Sequence, residues 1–208
     1  ADVTGVSSNG IYAVNVGTDA DLIIDSSAGS VSGATGKDSL NRRLSGLFVD
    51  QLSAGTLNIT VDQVRGGIGI DVDAATGDTT ITLASTAVVT GLVEAGIDAR
   101  STGGAITVQG SSGDVVGATD GMYVRSAGGE ITVDTLDSVT GNADDGLDLG
   151  SAGGAITVNA VDAVLGTGGN GILADSDGGD ITITGNGLVG GIEGTVGDGI
   201  RADATGGV

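Results

Sequence analysis

The hexapeptide Gly103-Gly104-Ala105-Ile106-Thr107-Val108 (GGAITV) decides the fold, because the chain repeats it at a fixed interval. The same six letters return at 153–158, and close variants stand at 128–133 (GGEITV) and 178–183 (GGDITI). Each copy begins 25 residues after the previous one. A constant period of this length is typical of proteins that stack one supersecondary unit on the next. The spacing therefore predicts a solenoid.

A glycine followed by an apolar residue opens each repeat. The openings are Gly10-Ile11, Gly46-Leu47, Gly69-Ile70, Gly96-Ile97, Gly121-Met122, Gly146-Leu147, Gly171-Ile172 and Gly199-Ile200. The consensus G-[ILM]-x-[AVL]-x-[SA]-x-G-G-x-I-T-V alternates apolar with other residues, which is typical of strands separated by glycine turns. We predict an all-β fold, a right-handed parallel β-helix (β-solenoid) of about seven coils of roughly 25 residues, with coils about 4.8 Å apart.

Three strands are predicted in each coil. The first directs Ile97 and Ala99 inward, and the second directs Ile106 and Val108 inward. The third is weaker and contains Val115 or Val116, Val139, Val164 and Val189. An outward ladder of β-branched residues is expected from Thr82, Thr107, Thr132, Thr157 and Thr182. We interpret Gly103-Gly104 as a turn that needs positive φ.

The chain is predicted to be one solenoid segment, 1–208, interrupted by an inserted loop at 33–46 (GATGKDSLNRRLSG). The loop carries three of the seven basic residues, Lys37, Arg42 and Arg43. The spacing of Leu40 and Leu44 allows a helical turn. The loop is interpreted as a surface insertion between strands. The alternative is a binding loop or a dibasic processing site.

Composition excludes several functions. Seven basic residues stand against 27 acidic ones, a net charge of -20 that repels nucleic-acid phosphates and anionic lipids. No stretch reaches the length of apolar residues that a membrane helix needs. The chain has no His and no Cys, which excludes Ser-His-Asp and Cys-His catalysis, the usual zinc sites and disulfides. We therefore expect no enzyme, no cofactor, no nucleic-acid partner and no membrane insertion.

Two outward groups could still form a site. Asp71 and Asp73 share one face of a strand, with Asp98 stacked beside Asp71. They are either a solvated acidic face or the carboxylates of a β-helix glycosidase. The three aromatic residues, Tyr12, Phe48 and Tyr123, each stand two residues after an opening glycine. With Lys37, Arg42 and Arg43 they are candidates for a contact face, the alternative being plain strand formers.

A polar ladder precedes the opening glycines. Its members are Asn9, Asp120, Asp145, Asn170 and Asp198. Asp and Asn before Gly are typical turn residues, and this is the interpretation we favour. The alternative is calcium held between stacked turns by Asp120, Asp145, Asn170 and Asp198, because carboxylate and carbonyl oxygens suit a hard cation.

The repeat at 96–108, 121–133, 146–158 and 171–183 resembles the passenger regions of bacterial autotransporters and related large secreted β-helical proteins. This resemblance implies an extracellular or cell-surface location and a role as adhesin, stalk or matrix scaffold. It also implies partners among neighbouring coils, other copies of the chain, glycans or cell-surface proteins. The alternatives are a fibre subunit that stacks end to end and a carbohydrate-active enzyme. We expect the chain to be a segment of a longer stacked protein or a self-assembling unit.

Overall fold

The computed structural model describes residues 2–39, 41–185 and 191–206, and every regular element in these ranges is a β-strand. The strands form two parallel sheets that wind into a β-solenoid, which confirms the predicted fold. About eight turns with a spacing near 25 residues build the column. Its right-handedness stays a prediction.

No helix among the described residues is long and apolar enough to cross a membrane.

Sheet B collects the strand that follows each opening glycine. Its strands are β2 (Ile11–Asn15), β4 (Ser45–Gln51), β6 (Ile68–Ala74), β8 (Ile97–Ser101), β11 (Met122–Ser126), β13 (Leu147–Ser151), β15 (Ile172–Ser176) and β18 (Ile200–Ala204). They stack in sequence order, each pairing with the equivalent strand of the next coil. The eight opening pairs found in the sequence therefore mark the eight rungs of this sheet.

Sheet A holds the second and third predicted strands of each coil. Its strands are β1 (Val3–Thr4), β3 (Leu22–Ser32), β5 (Leu57–Gly66), β7 (Thr79–Gly91), β9 (Ile106–Gly110), β10 (Gly113–Gly117), β12 (Ile131–Gly141), β14 (Ile156–Gly166), β16 (Ile181–Thr184) and β17 (Gly191–Gly194). In β12 and β14 the two predicted strands run on as one, whereas β9 and β10 remain separate. The predicted three strands per coil therefore reduce to two continuous ones in several turns.

The core is a column of aliphatic side chains between the two sheets. Ile97, Ala99, Ile106 and Val108 are all buried, as predicted. In the third strand Val115, not Val116, is buried and pairs with Val139. Val164 pairs with Ile192, and Val189 lies outside the described residues. Burial of such side chains on the inner rungs, about 1.5–3 kcal/mol each before entropy, stabilises coils that could not fold singly.

The predicted threonine ladder is wrong at one rung. Thr107 pairs with Thr80 on the coil before it, while Thr82 pairs with Gln109. Thr132, Thr157 and Thr182 take the expected places. The cause is the spacing from Gly69 to Gly96, which is 27 residues rather than 25, so that counting back by 25 misses the register by two.

The second glycine of the pair serves close stacking, and neither glycine serves positive φ. Neither Gly103 nor Gly104 has φ in the left-handed region, so the predicted reason for these glycines is wrong. A Cβ on Gly104 would lie 2.1 Å from the carbonyl oxygen of Gly77 in the neighbouring coil. The second glycine is therefore needed because two backbones approach each other at this corner.

Thr79 is a polar defect in the core, and its removal is expected to stabilise the fold. It occupies the inward slot held by Leu57 and Ile106 on adjacent rungs, is 1% exposed, and its Oγ1 has no hydrogen-bond partner. We expect Thr79→Val to raise the free energy of unfolding by about 1 kcal/mol, because a buried unpaired hydroxyl is removed at constant shape. Urea unfolding measures this, with the outward Thr80→Val as control. A loss of stability in Thr79→Val would contradict it.

Candidate functional site

Sheet B carries an outward ladder that contains all three aromatic residues. Its rungs, in order, are Tyr12, Phe48, Asp71, Asp98, Tyr123, Asp148, Leu173 and Arg201. Tyr12 and Phe48 stack with ring centroids 5.1 Å apart and planes 9° apart. Tyr123 is separated from them by Asp71 and Asp98, and the guanidinium of Arg125 lies 4.1 Å from its ring centroid. The structure thus joins two of the three predicted aromatic residues.

The inserted loop folds back on itself in its described residues, 33–39 and 41–46, and forms no helical turn there. Lys37 and Arg43 form an isolated antiparallel bridge, and the backbone NH of Asp38 donates to the carbonyl oxygen of Arg42 at 2.9 Å. Asn41 takes a left-handed conformation (φ 64°), which asparagine tolerates well. The described residues of the loop contain no helix, and Leu40, on which the possible helical turn relied, lies outside the described residues.

A cleft of about 320 Å³ lies between this loop and the outward ladder. Tyr12, Phe48, Asp71 and Asp98 line it from the ladder. Asp50, Asp73 and Arg100, from the next outward slot of the same strands, also line it. Arg42 and Arg43 line it from the loop, whereas Lys37 does not and instead donates to Asn41 Oδ1 at 3.1 Å. The cleft thus brings together most of the residues that the sequence singled out.

Ion pairs tie the loop together and fasten it to the solenoid. Arg42 Nη2 lies 2.7 Å from Asp38 Oδ2, and Arg43 pairs through Nε with Glu94 Oε1. Glu94 stands just before the fourth opening glycine, 51 residues from Arg43, and sequence reasoning missed it. Arg100 was missed as well, although its spacing of two from Asp98 places both on one face of a strand.

Asp71 and Asp98 are buried, so the solvated acidic face that was one interpretation of the sequence does not hold for these two residues. Asp71 is 9% exposed and accepts a hydrogen bond from Ser45 Oγ at 3.2 Å. Asp98 is 7% exposed, and its Oδ2 accepts from Arg100 Nη2 at 2.7 Å. Asp98 Oδ1 is buried with no hydrogen-bond partner among the described residues. Asp73 is exposed, as a solvated face requires.

Burial raises the pKa values of these carboxyl groups. Burial, opposed by the Arg100 charge and reinforced by Asp71 and Asp73, raises the pKa of Asp98 to about 7. Burial and the charge of Asp73 raise the pKa of Asp71 to about 6, against the hydrogen bond from Ser45. The pKa of Asp50 is raised by the same two causes. The site can therefore hold or release protons near neutrality.

These shifts predict a pH dependence of stability. A carboxyl whose folded pKa lies above its unfolded value stabilises the fold at low pH and loses that contribution as the pH rises through the folded pKa. We expect the free energy of unfolding to fall between about pH 4 and about pH 7, the interval that separates the unfolded pKa from those of Asp71 and Asp98. Urea titrations across this range measure the slope. It should flatten in Asp98→Asn, and an unchanged slope would contradict the assignment.

The polar ladder before the opening glycines bonds to backbone amides. Asp120 Oδ1 accepts from the NH of Asp145 at 3.2 Å, and Asn170 Oδ1 accepts from the NH of Asp198 at 2.9 Å. Asp145 Oδ1 accepts from the NH and the Nδ2 of Asn170, and Asn9 Oδ1 accepts from the NH of Ser45. Four of the five ladder side chains thus cap the equivalent residue of the next coil, as is typical of turn residues.

Among the described residues the calcium alternative has one geometric counterpart, the trio Asp120, Asp144 and Asp145, whose carboxylate oxygens lie within 4.8 Å of one another. Because Asp120 and Asp145 already accept backbone hydrogen bonds, we expect EDTA to leave the melting temperature unchanged. Calorimetry with EDTA and with added Ca²⁺ measures this. A melting temperature that falls with EDTA and recovers with Ca²⁺ would contradict the expectation and favour the calcium ladder.

The fold and the cleft define a parallel β-solenoid whose cleft, between the inserted loop and sheet B, is of a size that ligand sites occupy. Searches of protein-family models, of curated proteins and of solved structures find no match to this chain. The architecture is therefore established by its own repeats and register, and the function has to be argued from the residues of the cleft.

Proposed function

We propose that the chain is a non-enzymatic β-solenoid of the extracellular space or the bacterial cell surface, an adhesin, stalk or matrix scaffold that binds its ligand in the cleft. One observation carries the proposal. The inserted loop, the stacked pair Tyr12 and Phe48, and the buried Asp71 and Asp98 coincide on four adjacent rungs. Specific recognition belongs where a regular scaffold departs from its period, because the repeated positions serve packing.

The cell-surface location is supported by the resemblance of the repeat to autotransporter passengers, and by the absence of cysteine from a strongly acidic chain. The outer rungs of sheet B support another copy of the chain as a partner. Among the described residues, β2 pairs with β4 alone and β18 with β15 alone, so each strand presents one unpaired backbone edge. A strand of another copy can pair with such an edge.

The proposal is tested by binding of the labelled chain to bacterial cells, extracted matrix and immobilised glycans. We expect Phe48→Ser to weaken binding about tenfold or more, because an aromatic face in a pocket is a typical anchor of recognition. Leu173→Ser is the matched control, since Leu173 occupies the same ladder outside the cleft. Binding by no surface, or equal binding by both variants, would overturn the proposal.

The buried carboxyl groups favour a second candidate, a carbohydrate-active enzyme. Asp71 and Asp98 stand on adjacent rungs, about 4.8 Å apart along the sheet, and paired carboxyl groups a few ångströms apart suffice for glycoside cleavage. Acidic and neutral polysaccharides incubated with the chain would release reducing ends if this candidate is right. Cleavage should then disappear in Asp71→Asn. No release from any polysaccharide excludes this candidate for those substrates.

A further inference from the structure

The cleft carries more negative charge than its own cations balance. Six carboxylates and three guanidiniums line it. Three ion pairs use all the guanidiniums, namely Asp38–Arg42, Glu94–Arg43 and Asp98–Arg100. Asp50, Asp71 and Asp73 form no ion pair with any described residue, and two of them have carboxyl pKa values raised mainly by burial. An anion is disfavoured here, and a cation would relieve the imbalance.

Among the residues that line the cleft, one buried side-chain atom lacks a hydrogen-bond donor. Asp98 Oδ1 has no hydrogen-bond partner in the part of the chain that the structure describes, and the side chain of Asp98 is 10% exposed. A buried acceptor without a donor costs about 1–3 kcal/mol, and more when it is charged. Its neighbour Asp71, one rung away, accepts one side-chain hydrogen bond from the described residues, that of the Ser45 hydroxyl. The two carboxylates therefore offer acceptors to a ligand with several N–H donors.

The aromatic stack narrows the class of cation. Phe48 lies on the rung next to Asp71, so one end of the Tyr12–Phe48 stack borders the carboxylates. Aromatic faces attract organic cations and pack against their carbon atoms. A divalent metal ion would need carboxylate oxygens gathered closely, and among the described residues such a group occurs only at Asp120, Asp144 and Asp145, outside the cleft. An ammonium group on a carbon skeleton fits both the carboxylates and the aromatic stack.

We propose that the cleft binds a primary ammonium group of an organic ligand, with Asp71 and Asp98 accepting its N–H bonds and Phe48 packing against its carbon atoms. The inference rests on the proposed binding function and names the chemistry that the cleft selects. A primary ammonium has three donors, enough for Asp98 Oδ1 and for Asp71 together. Two sources carry this group into a cell-surface setting, an amino sugar of a polysaccharide and a free polyamine.

The test is calorimetric titration of the full chain with the glucosamine trimer, its N-acetylated counterpart and spermidine. At about pH 7, Asp71 is ionised and Asp98 about half ionised, while the amino-sugar amine, a weaker base than an alkylamine, still keeps much of its proton. We expect the N-acetylated trimer to bind at least about tenfold more weakly there, because acetylation removes the charge and keeps the sugar. Binding of the glucosamine trimer identifies the amino-sugar source. Binding of spermidine alone identifies the polyamine source.

Matched variants separate specific binding from attraction to the net charge of the chain. Asp98→Asn should weaken ammonium binding about tenfold or more. Asp148→Asn should leave it unchanged, because Asp148 has the same ladder slot, a similar ion pair with Arg125 and a similar unpaired Oδ1, yet does not line the cleft. Equal loss in both variants, or none in either, would overturn the inference. Thermal melts check that both variants fold, and Phe48→Leu provides a variant without charge change.

The outcomes also separate this inference from the function on which it rests. Equal binding of the acetylated and free trimers would overturn ammonium recognition and leave the adhesin proposal standing. The same holds if no amine binds while Phe48→Ser still abolishes attachment to cells or matrix. Failure of the proposed function appears instead as an absence of attachment to every surface tested.

Discussion

Gly129→Ala is expected to lower the free energy of unfolding by about 3 kcal/mol or more, because it forces two backbones apart. A Cβ on Gly129 would lie 2.3 Å from the carbonyl carbon and oxygen of Gly104 in the neighbouring coil. Gly154 on the next coil meets Gly129 in the same way, at 2.4 Å. Both contacts are with backbone atoms, so the clash can be relieved only if the rungs themselves move apart. Urea unfolding followed by circular dichroism measures the loss.

The adjacent Gly128 provides the control for this prediction. Its Cβ would lie 3.7 Å from the carbonyl oxygen of Gly103, an ordinary van der Waals contact, and its φ is not in the left-handed region. Gly128→Ala should therefore be neutral or stabilising by up to about 1 kcal/mol through the unfolded chain. A loss as large at Gly128 as at Gly129 would show that both glycines are needed for backbone freedom, and the stacking argument would fail.

The periodic part of this fold could be predicted from the sequence because equivalent residues meet equivalent surroundings. The opening glycines gave the rungs of sheet B, and the alternation in Ile106-Thr107-Val108 gave the inward face. The prediction for Thr82 was wrong because it counted back by a fixed period where the strand register shifts by two residues. The prediction for Gly104 was wrong because glycine is used for two different structural reasons. Glycine satisfies both positive φ and close approach, so the sequence alone cannot distinguish them at Gly104.

The cleft could be predicted only in part. The common slot of Tyr12 and Phe48 and the position of the loop follow from the repeat. The burial of Asp71 and Asp98 does not, because it depends on how the loop folds over the neighbouring coils. The Arg43–Glu94 pair joins residues 51 apart, and no periodic signal links an insertion to a turn. Contacts between the loop and distant coils therefore become visible only in the three-dimensional structure.

The serine of the S-x-G-G motif has a role that sequence reasoning missed. Ser126 Oγ donates to the carbonyl oxygen of Gly104 at 3.0 Å and accepts from the NH of Gly129 at 2.8 Å. Ser151 makes the same two bonds one coil further on, to Gly129 and Gly154. One buried hydroxyl thus closes its own turn and fastens that turn to the coil before it. Because the motif places the serine three residues before the second glycine, its spacing sets this geometry.

Ser126→Ala is therefore expected to lower the free energy of unfolding by about 2 kcal/mol, since the backbone groups of Gly104 and Gly129 lose their side-chain partner in a buried corner. Urea unfolding measures the change. Ser111→Ala, at an exposed bend, should stay within about 0.5 kcal/mol of the parent chain. If Ser126→Ala is equally mild, water replaces the hydroxyl at the corner. The coils would then be held by the aliphatic column and the strand ladders alone.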